Sequence, residues 1–153
     1  MMCPPKPYAD WIALLALLKE RGHDEEVLAA MREGSLSWQS GVAERFTAQL
    51  MNAVEVRLGA ASDVFSRSMQ HAREEWETVA ALLSLRRTLS FLLRAVDLPA
   101  LPKEQREALR KMVAEHAERM QESLLDSARS DRTGRMMCIV RSHCVNRLDR
   151  SDL

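Results

Sequence analysis

Cys138, His143 and Cys144 lie close together near the C-terminus and are the most reactive group of side chains in the chain. Thiolates and imidazoles are zinc ligands, and a thiolate next to a histidine is a nucleophile. The spacing favours neither use. A structural zinc site needs four ligands, and Cys-x4-His-Cys lacks the Cys-x-x-Cys knuckle, so Cys3 or His116 would have to complete it from far along the sequence. Adjacent residues on a helix point about 100° apart, which separates His143 from Cys144. We therefore expect structural thiols, no metal, no cofactor and no catalytic residue.

His116 falls within a helical apolar stripe, where a general base or a metal ligand is conceivable. A histidine satisfied by a neighbour in the core is the simpler assignment. Carboxylate-bridged di-iron bundles require two Glu-x-x-His pairs. The residues three positions before the four histidines are Glu20, Ser68, Val113 and Val140, so only Glu20 and His23 have the spacing, and Gly22 interrupts their helix. The glycines are isolated and no Gly-Lys-Ser/Thr occurs, which removes the phosphate-cradling loop of nucleotide hydrolases. Seven aromatic residues, scattered, offer no stacking platform for single strands. The nine methionines read as core filler more simply than as a promiscuous groove.

The C-terminal stretch is the remaining chemical candidate. Between Arg129 and Arg150 six arginines face Asp131 and Asp149, a local charge of +4 within a chain whose net charge is zero. Arg132, Arg135, Arg141 and Arg147 could neutralise phosphates, and residues 131–135 could wrap an oxyanion. Met137, Val140, Cys144 and Leu148 share one face if the stretch is helical, which makes a tail docked on the bundle the simpler expectation. A helix-turn-helix over residues 25–50 is a weaker match. Its second helix would offer Trp38, Gln39, Glu44 and Arg45, a poor surface for phosphate contact.

The elements that must position these side chains are helices. Val42 to Leu98 contains no proline and a single glycine, Gly59, with apolar residues at helical spacing throughout. Val54, Leu58, Ala61, Phe65, Met69, Ala72, Trp76, Val79 and Leu83 form one stripe. As one helix the run would be roughly 80 Å long, whereas a compact chain of this size is about 40 Å across. Either it bends back near Ser66 to Arg73, or it stays straight and finds its core in other copies. Upstream, a helix from the N-cap Asp10 to Gly22 is apolar around most of its circumference. A shorter helix follows, capped by Asp24 and ended by Gly34. Pro99 and Pro102 separate the central run from a last strong helix, Lys103 to about Ala128, striped by Leu109, Met112, Val113, His116, Met120 and Leu124.

Composition bounds the class. At 153 residues, 46% apolar and 29% charged, the chain is one domain with a sizeable core, and its balanced charge excludes a global pull toward nucleic acid or anionic lipid. Three cysteines are too few and too odd for a disulfide framework, which points to a reducing cytoplasm. Trp11 to Leu18 is only eight residues, too short to span a bilayer, and no cleavage site follows. The expected fold is all-α, a helical bundle of about four to five helices with long central helices over residues 1–128 and a basic C-terminal tail over 129–153. The expected function is a non-enzymatic adaptor or assembly subunit, oligomeric or part of a larger complex, contacting a protein partner through Trp11, Ile12, Leu15 and Trp38. Nucleic-acid association through the tail arginines is the alternative.

Overall fold

The computed structural model describes residues 1–36 and 41–142, the last two by backbone alone. It is all-α. Among the described residues there are six helices and no strand, in the order α1 (Tyr8–Glu20), α2 (Glu25–Glu33), α3 (Val42–His71), α4 (Glu75–Val96), α5 (Lys103–Ser130) and α6 (Arg135–Ser142). Five of them, α1 to α5, are the four to five expected for the bundle, and the sixth lies in the tail.

The first helix begins two residues earlier than Asp10. Pro7 occupies its N-cap position with an extended backbone, and its carbonyl accepts from the N–H groups of Asp10 and Trp11. Proline has no N–H to leave unsatisfied there, and Asp10 still faces the positive end of the helix from the first turn. Trp11, Leu14, Leu15 and Leu18 are buried and Ile12 and Leu17 half-buried, so α2, α3 and the preceding segment cover this apolar helix within one chain. Helix α2 is capped as its sequence suggests: the Asp24 carboxylate accepts from the N–H groups of Glu26 at 3.0 Å and Val27 at 3.1 Å. Gly34 closes it with an N–H bonded to the Ala30 carbonyl.

The central run bends. Helix α3 stops at His71, and residues 72–74 connect it to α4, which packs back against α3. Glu74 and Glu77 form a capping box, in which each side chain satisfies a backbone N–H that the new helix would otherwise leave open. The break also resets the helical phase. On α3 the stripe points inward at Val54 and Leu58, but the buried face of α4 is Thr78, Leu82, Leu85, Leu89, Leu92 and Val96. Trp76 and Leu83, which continue the stripe on paper, emerge 69% and 44% exposed. A spacing of three or four carried across three non-helical residues keeps its count but not its direction.

Helix α5 lies against both α3 and α4 through Leu109, Val113, Ala117, Met120, Leu124 and Ala128. Asp97 ties the preceding turn to it, with Arg110 Nη2 at 2.6 Å and Arg106 Nη1 at 3.6 Å. Helix α6 then folds onto α5 and buries Ile139 and Val140. Among the described residues no helix is long and apolar enough to cross a membrane.

Candidate interaction surface

Four large apolar side chains beyond the N-terminal methionine stand in solvent among the described residues: Val56, Val64, Trp76 and Leu83. All four belong to the α3–α4 hairpin. Between the two helices runs an open groove of about 610 Å³, lined only by residues of α3, α4 and their connection. Among the described residues no third helix lines it. Ala60, Ala61, Ala80 and Ala81 form low walls, Phe65 and Leu85 line it deeper, and Val64 and Trp76 stand at its edges. Small wall residues leave the backbones within reach of an approaching helix, and the aromatic edge supplies a large area to bury. The apolar surface continues over the outer side of α4 through Trp76, Val79, Ala80 and Leu83, with Glu74 and Glu75 at its rim.

The groove is polar at its ends. At one end lie Arg57, Ser84 and Thr88. Burial pushes the Arg57 guanidinium below its ordinary pKa. Its Nη1 sits 3.9 Å from where a Cβ on Gly22 would be, beside the C-terminus of α1, whose dipole favours a cation. Just behind, His23 Nε2 is 2.8 Å from Thr88 Oγ1, and Thr88 donates its hydroxyl proton to the Ser84 carbonyl at 3.2 Å. Thr88 therefore accepts, and His23 donates from Nε2. The ring also meets Phe91 edge-on at 5.3 Å. At the other end, the Glu77 carboxylate accepts from the N–H groups of Arg73 at 2.6 Å and Glu74 at 2.9 Å, which holds its pKa down.

Partial burial, followed by the charges of Arg57 and Arg87, lowers the His23 pKa below 6.5. The unfolded chain then binds the proton more readily than the folded one. Stability contributed at this position is complete above the unfolded pKa and declines as pH falls through 6.5 toward the lower folded value. Thermal unfolding between pH 7.5 and 5.5 should show Tm falling with acidity, and His23→Gln should flatten that slope. His116 contributes in the same direction, through its own burial and the neighbouring Arg119. An unchanged slope in the His23 variant would remove His23 from this account.

The residues expected to meet a partner fall elsewhere. Trp11 and Leu15 are 0% and 3% exposed, inside this chain's own core, and Ile12 is half-buried. Trp38 lies outside the described residues. Among the tail arginines, Arg132 is exposed, while Arg135 is exposed but donates from Nη1 to the Arg73 carbonyl at 3.0 Å. The side chains of Arg141 and Arg147 lie outside the described residues, as do His143 and Cys144. The turn that could have wrapped an oxyanion already holds one. The Asp131 carboxylate accepts from the N–H and hydroxyl of Thr133 and from the N–H of Met136. These bonds keep its pKa low.

His116 is half-buried, with Nδ1 3.1 Å from Arg119 Nη2, beside a smaller groove of about 410 Å³ between α3 and α5 that carries Ser62, Ser66, Ser123 and Ser127. Among the described residues no carboxylate lines that groove; Glu55 acts on the ring from outside it and is outweighed by burial and Arg119. Among the described residues no three His, Cys, Asp or Glu side chains converge on a point where a metal ion could sit. The chain matches no protein-family model, no curated protein and no solved structure.

Proposed function

We propose that this protein is a non-enzymatic interaction subunit that docks a partner across the α3–α4 face, with Trp76 as the anchor. The observation that carries the reading is the 69% exposure of Trp76 at the edge of an apolar groove that, among the described residues, only α3, α4 and their connection line. A tryptophan left in water forfeits most of the burial energy it could contribute, and tryptophans dominate the binding energy of interfaces. The exposed patch also includes Val64 and Leu83, and its rim is charged, as in a docking site with an apolar centre. The exposed thiols of Cys3 and Cys138 fit a reducing compartment, consistent with a cytoplasmic subunit. Internal use of Asp131 and Arg135 leaves less of the tail for phosphate contact and favours a protein partner over nucleic acid.

Site-specific photo-crosslinking in producing cells tests this. A photoreactive phenylalanine analogue at Trp76 or Leu83 should give discrete adducts, and the same group at Glu118, exposed on α5, should not. Equal labelling at all three positions, or none, would remove the α3–α4 face as a docking surface.

A further inference from the structure

The partner's identity rests on the reading that the α3–α4 face is a docking surface. We propose that its occupant is a second copy of this chain, laid antiparallel across the face about a two-fold axis. The motivating observation is the way charge is distributed along α4. Trp76, Ala80, Leu83 and Arg87 follow one another at helical spacing on the exposed side, with Glu75 at the opposite end of the same surface. Glu75 and Arg87 are twelve residues apart, a span of roughly 18 Å along the helix. Neither forms an ion pair among the described residues, nor does Arg57 at the same end as Arg87. Other charges nearby are already engaged: Glu77 accepts from backbone N–H groups, Arg135 donates to the Arg73 carbonyl, and Arg94 is bound bidentately by Glu25.

Arg87 does act on Glu25 and, with Arg57, on His23 from a distance, but a face with an acid at one end and bases at the other is still complementary to its own reverse. Antiparallel docking brings Glu75 of each copy to the Arg57 and Arg87 end of the other, and the two-fold axis makes the contact twice. A parallel arrangement would set like charges against each other. The apolar content obeys the same symmetry. The surface carries both a projecting indole, Trp76, and a groove walled by Ala80 and Ala81 that extends toward Ser84, the region where a reversed copy places its own Trp76. Projection and recess on one face are what an isologous interface requires.

Sedimentation velocity on the purified full chain, from low to high micromolar concentration, tests the proposal. The expected result is a dimer that dissociates on dilution and weakens as salt is raised. Trp76→Ala should leave a monomer. Glu75→Arg and Arg87→Glu should each weaken the dimer about five- to tenfold, because two symmetric attractions become repulsions. The two changes combined in one chain should restore it. All these positions are exposed, and unchanged helical circular dichroism will show that the variants fold. A monomer at every concentration would overturn the proposal, and so would a dimer indifferent to Trp76→Ala or not rescued by the double charge reversal. If the chain is a monomer while cellular crosslinks from Trp76 join it to a protein of another mass, the docking face stands and the second copy falls. If position 76 crosslinks to nothing, both fall.

Discussion

Trp11→Ala is expected to destabilise the fold by about 3–5 kcal/mol, a large part of the 5–15 kcal/mol that holds a typical domain together. The indole is fully buried, and its ring meets Phe46 edge-on, centroids 5.1 Å apart at 79°. Its Nε1–H donates to the Ser35 carbonyl at 3.4 Å. Truncation would open a cavity at the junction of α1 and α3 and leave that carbonyl without its donor. Trp11→Phe separates the two contributions, since it retains an aromatic body against Phe46 and loses only the donor and part of the volume. Urea unfolding should therefore rank wild type, Trp11→Phe and Trp11→Ala in that order. An alanine variant within about 1 kcal/mol of wild type would mean that the site collapses around the deletion.

Gly34→Ala is the second large effect, about 1–3 kcal/mol of overpacking. The backbone there has φ −70° and ψ 150°, which any residue adopts, so conformational freedom is not the reason for glycine. Space is the reason. A Cβ on Gly34 would lie 2.7 Å from both Cγ and Cδ of Pro5 and 2.8 Å from Cζ2 of Trp11. Bulkier residues at this position should cost more than alanine. The same substitution at Gly59 is the control. It lies inside α3 with no atom within 4 Å of the added carbon, so Gly59→Ala should stabilise by about 0.5–1 kcal/mol. Because Gly34 and Trp11 touch, Trp11→Phe should soften the penalty of Gly34→Ala, a coupling that a double-mutant cycle would measure.

The helical class and the Asp24 cap were legible in the sequence because each depends on local chemistry, spacing and a capping carboxylate; the Gly34 stop was legible in position but not in cause, which is the close approach of Pro5 and Trp11. The turn at residues 72–74 was legible only as one of two options, since periodicity measures spacing and not direction. The capping box of Glu74 and Glu77 was the signal that could have decided it: an acid three residues before another, just ahead of an apolar run. With the apolar stripe carried straight through the turn, Trp76 and Leu83 look like core on paper, whereas in the fold they are the exposed surface. The over-apolar first helix misleads in the opposite sense. Trp11 and Leu15 suggest a surface in need of a partner, yet α2 and α3 of the same chain supply the cover. Counting apolar residues on one helix cannot reveal how many neighbours will surround it. Of the apolar face expected in the tail, Val140 is buried and Met137 half-buried, while Cys144 and Leu148 lie outside the described residues; the use of the Asp131 carboxylate to fill its own turn depends on backbone geometry that charge counting does not contain.

The short connection between His71 and Glu75 also governs how quickly the chain can find this arrangement. Three residues suffice to return α4 along α3, so the entropy lost in closing that loop is small. Most helices that pack together are also neighbours in sequence: α1 with α2, α3 with α4, α4 with α5, and α5 with α6. Contacts of this kind form by local search, and chains dominated by them fold in microseconds to milliseconds. Among the described residues α1 on α3, α5 on α3 and the Glu25–Arg94 tie between α2 and α4 must wait for longer closures. The hairpin that carries Trp76 is therefore expected to form early in folding, before the last helices close the core behind it.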